Sequence, residues 1–178
     1  TTNHVFDSSR TLYNKNLAFL GMEPAPYFVI GGNPIYNATR GDTVNAQMMT
    51  FMENVFEWLL NVDKLTGSAQ KIAISHMGGS EEKAVENWLL NHSDSSLQII
   101  TGCSADSLAV CLKKDLDLLV VASDDMGGSD FELYANQIQE AMSKGLPVLY
   151  MVRTGSNKSL AKSLNPKLQA NYHWHNYW

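Results

Sequence analysis

A chain of 178 residues with 13 Lys and Arg against 18 Asp and Glu has a formal charge of −5, and 44% of its residues are hydrophobic against 17% charged. That length fits one domain, which needs neither metal nor disulfide to complete a core, and the apolar content excludes a disordered chain. The acidic balance argues against a nucleic-acid partner, and no run of about 18 apolar residues is available to span a membrane as a helix.

Residues 1–26 show no regular periodicity and are expected to lead into, or wrap, a single domain covering residues 27–178. From Tyr27 onward, short apolar runs alternate with amphipathic segments. Tyr27-Phe28-Val29-Ile30 reads as a strand stopped by Gly31-Gly32-Asn33-Pro34. Met48, Phe51, Met52, Val55, Phe56, Leu59 and Leu60 recur at i, i+3, i+4, i+7 spacing, one wide face of a helix. Lys71–Ser75 is a second strand, and a helix from about residue 81 to 91 turns Ala84, Val85, Trp88 and Leu89 inward. Residues 97–101 are a third strand, followed by a short helix over about 105–113. Leu116 to Ala122 is nearly continuous in apolar residues, the mark of a strand covered on both faces. Phe131, Tyr134, Ile138, Ala141 and Met142 form another helical stripe, ended by Lys144-Gly145. Pro147 to Val152 is a fifth strand, and residues 159–168 fit a last helix.

Parallel neighbours need a helical crossover, and right-handed crossovers place helices on both sides of the sheet. Five such units predict a three-layer, doubly wound α/β fold with a mainly parallel five-stranded sheet, flavodoxin-like or amidotransferase-like. The chain opens on Thr1 without an initiator Met and closes on Trp174-His175-Asn176-Tyr177-Trp178. Both ends suggest a processed product or a segment of a longer polypeptide, and the aromatic ending favours the segment.

Ligands of open α/β sheets bind beyond the carboxyl ends of the strands. That places Asn33, His76, Cys103, Asp124, Asp125 and Arg153 among the candidates. Met77-Gly78-Gly79-Ser80 is echoed by Met126-Gly127-Gly128-Ser129, each at a strand-to-helix junction. Ser80 and Ser129 are expected to cap the following helices, with Glu132 completing a capping box after Ser129. The alternative is an anion site made of backbone N–H groups at a helix start.

Cys103, between a strand and a helix, has the placement of a nucleophile elbow. A thiol enzyme of the amidotransferase or hydrolase kind would also need a positioned His and an acidic orienter. The late histidines, His173 and His175, have no acidic residue after them. Cys103 and Cys111 could instead be bridged. At the ends of a straight helix they would stand about 12 Å apart, so a bridge requires a helix beginning only near Asp106; in a reducing compartment both would be free thiols. No His-Glu-x-x-His, Walker or dinucleotide-binding motif is present, and no metal or other cofactor is expected in this segment.

Several stretches together resemble the N-terminal region of large secreted bacterial metalloproteases, the ImpA-like immunomodulating proteases and the accessory-colonization-factor-like mucinases. They are residues 51–59 (Phe-Met-Glu-Asn-Val-Phe-Glu-Trp-Leu), Gly102-Cys103 through Cys111-Leu112, Asp117 to Val121, Gly145 to Tyr150, and the closing Asn176-Tyr177-Trp178. The resemblance implies an α/β domain like a class I glutamine amidotransferase that has lost its triad. It also implies a secreted or cell-surface location, which favours the Cys103–Cys111 bridge. Zinc would sit in a downstream domain. The role implied here is accessory: scaffolding the rest of the parent polypeptide or binding glycoprotein substrate, with no catalytic residue carried over.

Overall fold

The computed structural model describes residues 5–6, 12–13, 18–40, 46–67, 69–76, 79–94, 96–104, 106–122 and 131–152. Two short strands, β1 (Val5–Phe6) and β2 (Leu12–Tyr13), pair antiparallel. The main sheet is built from β3 (Ala18–Gly21), β4 (Tyr27–Gly31), β5 (Lys71–His76), β6 (Gln98–Ser104), β7 (Leu118–Val121) and β8 (Val148–Val152). The helices are α1 (Pro34–Thr39), α2 (Ala46–Leu60), α3 (Gly79–His92), α4 (Leu108–Cys111) and α5 (Phe131–Ser143).

The sheet has six strands in the order β3-β4-β8-β7-β5-β6. All neighbours are parallel except β3, which runs antiparallel to β4 with Ala18 opposite Ile30 and Gly21 opposite Tyr27. The expected five parallel strands are present, and Ala18–Gly21, within the stretch that showed no periodicity, adds a sixth. Four residues ending in Gly21 are too short to display alternation. A side chain at Gly21 would run into the Tyr27 ring, so glycine is what allows this pair to close. The connectivity also differs from the flavodoxin order 2-1-3-4-5. The strands β5 to β8 keep the 2-1-3-4 arrangement, but the fifth place is filled by β4, the first parallel strand of the chain.

Alternation along each strand divides the core in two. Phe28, Ile30, Ile72, Ile74, Leu118, Val120, Leu149 and Met151 face α1, α2 and α3. Tyr27, Val29, Ala73, Leu119, Val121, Val148 and Tyr150 face α4 and α5. All four residues of β7 are buried, as the continuous apolar run requires of a strand covered on both faces.

Helix ends follow local chemistry. The N–H of Leu146 reaches the carbonyl of Ala141 at 3.1 Å and that of Gly145 the carbonyl of Met142 at 2.9 Å. With Gly145 at φ 93°, α5 ends in a Schellman motif. Asn61, at φ 53°, does the same for α2, through Val62 to Glu57 and Asn61 to Trp58. Among the described residues no helix is long and apolar enough to cross a membrane.

Candidate functional site

The chain leaves β5 through α3 toward β6 on one side, and leaves β7 through α5 toward β8 on the other. The carboxyl ends of the adjacent strands β5 and β7 therefore form the topological switch point where such sheets bind ligands. Ser75 and Val121 are paired there, and the N–H of Ala122 donates to the Ser75 carbonyl at 2.8 Å.

Asn33 reaches this point from β4. Its Oδ1 accepts the N–H of Tyr36 at 2.9 Å and caps α1, with Pro34 in the first turn. Its Nδ2 donates to the carbonyl of Ala122 at 3.0 Å, and the residue is buried. Both ends of the amide are thus engaged inside the protein, tying the end of β4 to that of β7.

The hydroxyl of Ser75 is fully buried, 2.6 Å from the Cys103 carbonyl and 2.5 Å from the Tyr134 hydroxyl. This polar link joins β5, β6 and α5 directly beneath the switch point. The sequence pattern missed it, because Ser75 closes an apolar strand and Tyr134 falls in an apolar stripe. A hydroxyl on each was the only signal, and buried hydroxyls need partners.

Ser80 does not cap α3. The helix begins one residue earlier, at Gly79, so Ser80 lies in the first turn, exposed, and its hydroxyl donates to Glu81 Oε2 at 2.8 Å. Its Oγ is also 3.4 Å from the Tyr36 hydroxyl, whose ring lies 5.6 Å beneath the Arg40 guanidinium. Glu81 and Glu82 occupy this first turn. They complement the helix dipole themselves and oppose a bound anion. His76 is the last residue of β5, in register with Ser104. Asp124, Asp125, Ser129, Arg153, His173 and His175 lie outside the described residues, as do residues 159–168.

Cys103 lies within β6 and not on the turn after it. The strand runs on to Ser104 because β6 bulges: Ala73 pairs with Ile100 but Ser75 with Cys103, with Gly102 at φ 72°. Glu82 Oε1 accepts the Gly102 N–H at 2.6 Å. The bulge directs the Cys103 side chain into the core, and its sulfur is joined to that of Cys111, with the Cα atoms 5.9 Å apart. The intervening helix α4 is only four residues long. A turn at Ser104–Ser107, held by the Ser107 N–H on the Ser104 carbonyl at 3.0 Å, folds the chain back before it. The geometry of a nucleophile elbow is absent: Cys103 lies within the strand, and its sulfur is buried and bridged. Among the described residues no three His, Cys, Asp or Glu side chains are grouped to hold a metal ion.

These features define a three-layer mixed α/β domain in which hydrogen bonds tie the ends of β4, β5 and β7 together and whose cysteines form a bridge. The chain belongs to the family of immunomodulating metalloprotease N-terminal domains, whose model matches residues 20–171. Its fold is similar to that of IMPa metallopeptidase from Pseudomonas aeruginosa, with TM-score 0.62 and 21% identity over 88% of this chain and 17% of that one. A structure of IMPa from Pseudomonas aeruginosa in complex with an O-glycopeptide gives TM-score 0.64 and 22% identity, over 91% and 18% of the two chains. One of IMPa metallopeptidase in complex with T-antigen gives 0.60 and 22%, over 85% and 16%. The chain therefore spans less than a fifth of the length of these solved proteins. A comparison with curated proteins gives no match.

Proposed function

We propose that this is a non-catalytic accessory domain of a longer, secreted bacterial zinc metalloprotease that acts on glycoproteins, contributing scaffolding or substrate binding. The observation that carries the reading is membership, over residues 20–171, in a family of metalloprotease N-terminal domains. The relatives in fold include IMPa bound to an O-glycopeptide and to T-antigen, which supports a glycoprotein substrate for the parent protein. The disulfide supports secretion, since such bridges persist in oxidising compartments. In this reading zinc belongs to a downstream domain. The scaffold is that of an amidotransferase without its nucleophile, a view supported by the α/β layering and by the bridged Cys103.

The test compares the full-length protease with a form lacking this domain. Cleavage of a short glycopeptide should be largely retained and cleavage of an intact glycoprotein sharply reduced, while the 178-residue chain alone hydrolyses neither. Hydrolysis by the isolated chain, or an unchanged rate on the glycoprotein after deletion, would overturn the proposal.

A further inference from the structure

Among the described residues, α2 packs against β4 and β8, one strand in from the sheet's edge at β3. Leu20 lies opposite Phe28 in the antiparallel pair, so both side chains project to the same face. Phe28 is buried, and its ring meets that of Phe51 edge-on with centroids 5.8 Å apart. Leu20 is nevertheless 61% exposed and Phe51 40%. Trp58, 38% exposed, follows Phe51 by seven residues and so continues the same stripe about 10.5 Å along the helix. Met22, just beyond β3, is 59% exposed. An apolar ledge thus runs between the outer flank of α2 and β3, the terminal strand of the sheet.

The composition of this ledge is that of an interface. The most exposed positions of α2 are Ala46, Gln47, Thr50, Phe51, Asn54 and Trp58, none of them charged, while its two carboxylates, Glu53 and Glu57, are half-buried. By contrast α3 exposes Lys83 and α5 exposes Glu140. Aromatic enrichment with charge depletion distinguishes the core of an interface from ordinary surface. A helix lying beside α2, about 8–10 Å from its axis, would continue the helical layer over β3.

We propose that the Leu20–Phe51–Trp58 ledge is the surface on which this domain docks against the metalloprotease polypeptide beyond it, through an uncharged, apolar helix face. The inference rests on the accessory reading above. One observation favours that occupant over a second copy: the chain spans less than a fifth of the solved proteins it resembles. The family places the domain at the N-terminal end of a longer protein, and a covalently linked neighbour is held at about millimolar effective concentration without any dimer affinity.

The experiment places a single reporter thiol at the ledge, Trp58→Cys, and separately Phe51→Cys, with Leu133→Cys on the opposite helical layer as control. Alkylation by N-ethylmaleimide is timed in the 178-residue chain and in the full-length protease. Docking predicts that both ledge thiols react about tenfold or more slowly in the full-length protein, while the control thiol reacts equally in both. Equal ledge rates in the two proteins would overturn the proposal. Slow reaction in the 178-residue chain alone would also overturn it, assigning the ledge to a second copy if dependent on concentration and to the chain's own residues if not. Because no proteolytic activity is read, a domain that docks but does nothing for the enzyme remains distinguishable from one that does not dock.

Discussion

On one face of the sheet, α2 and α3 supply 15 and 14 residues and place Met52, Phe56, Leu59, Val85 and Leu89 against the strands. On the other, α5 packs Tyr134, Ile138 and Met142 in the same way, but the return from β6 to β7 passes through α4, a four-residue helix whose buried side chains are Leu108 and Cys111. A single helical turn cannot present an apolar stripe, and the Cys103–Cys111 bridge holds there what packing area holds opposite. The candidate nucleophile of the sequence is therefore best understood from the shortness of its crossover. Long helices secure themselves by burial; a turn this short is closed covalently.

That contrast can be broken most severely on the packed face. Phe56 is fully buried and its ring lies 5.3 Å from that of Trp88. Phe56→Ala should cost about 3–5 kcal/mol in denaturant unfolding, and a loss below 1 kcal/mol would mean that this layer is not the packed core described. Next comes the bridge. Replacing both Cys103 and Cys111 by Ala should cost about 2.5 kcal/mol, as expected for so short a loop. Wild type unfolded under reducing conditions should fall by a similar amount, while the change from Phe56→Ala stays the same whether the bridge is oxidised or reduced.

Between the two layers, Asn33→Ala removes both the cap of α1 and the tie to Ala122, and should cost about 1–2 kcal/mol. Asn33→Ser restores an acceptor for the Tyr36 N–H but not the donor to Ala122, so it should recover only part of the loss. Full recovery would show that the tie across the strand ends contributes nothing.

The smallest effects are electrostatic. The hydroxyl and N–H of Ser96, then the N–H of Gly67, hold the Asp94 carboxyl below its ordinary value of 3.8. Lys144, by hydrogen bond and charge, holds Glu140 below 4.5. Carboxyls with lowered values stabilise the fold above their unfolded values, and that contribution is lost as pH falls through the folded ones. Thermal scans from about pH 6 down to about pH 3 should therefore lose a little less stability in Asp94→Asn and Glu140→Gln than in the parent chain. Both groups are fully exposed, so the differences should shrink further in high salt.

Elements governed by local periodicity were legible in the sequence. The stripe from Met48 to Leu60 became α2, the all-apolar run became β7, and Gly145 stopped α5. What depended on partners was not. Ala18–Gly21 is a strand because β4 accepts it, and nothing in four residues announces that. The place of β4 beside β8 is likewise a property of long-range pairing. The strand-end rule drew attention to Asn33, but its amide proved to be used twice inside the fold. Ser80 missed its cap by one position, and Cys103 left its elbow by one bulged residue. Shifts of a single residue, set by where a helix starts or a strand bulges, decide such placements and leave no mark in the local pattern.

Mass spectrometry of the native chain after treatment with a thiol-alkylating reagent tests most directly that Cys103 closes the fold and is not a nucleophile. The bridged domain should carry no label and have the mass expected with both thiol hydrogens lost, and should take up label at Cys103 and Cys111 only after reduction. Rapid labelling of Cys103 in the native, unreduced chain would contradict it.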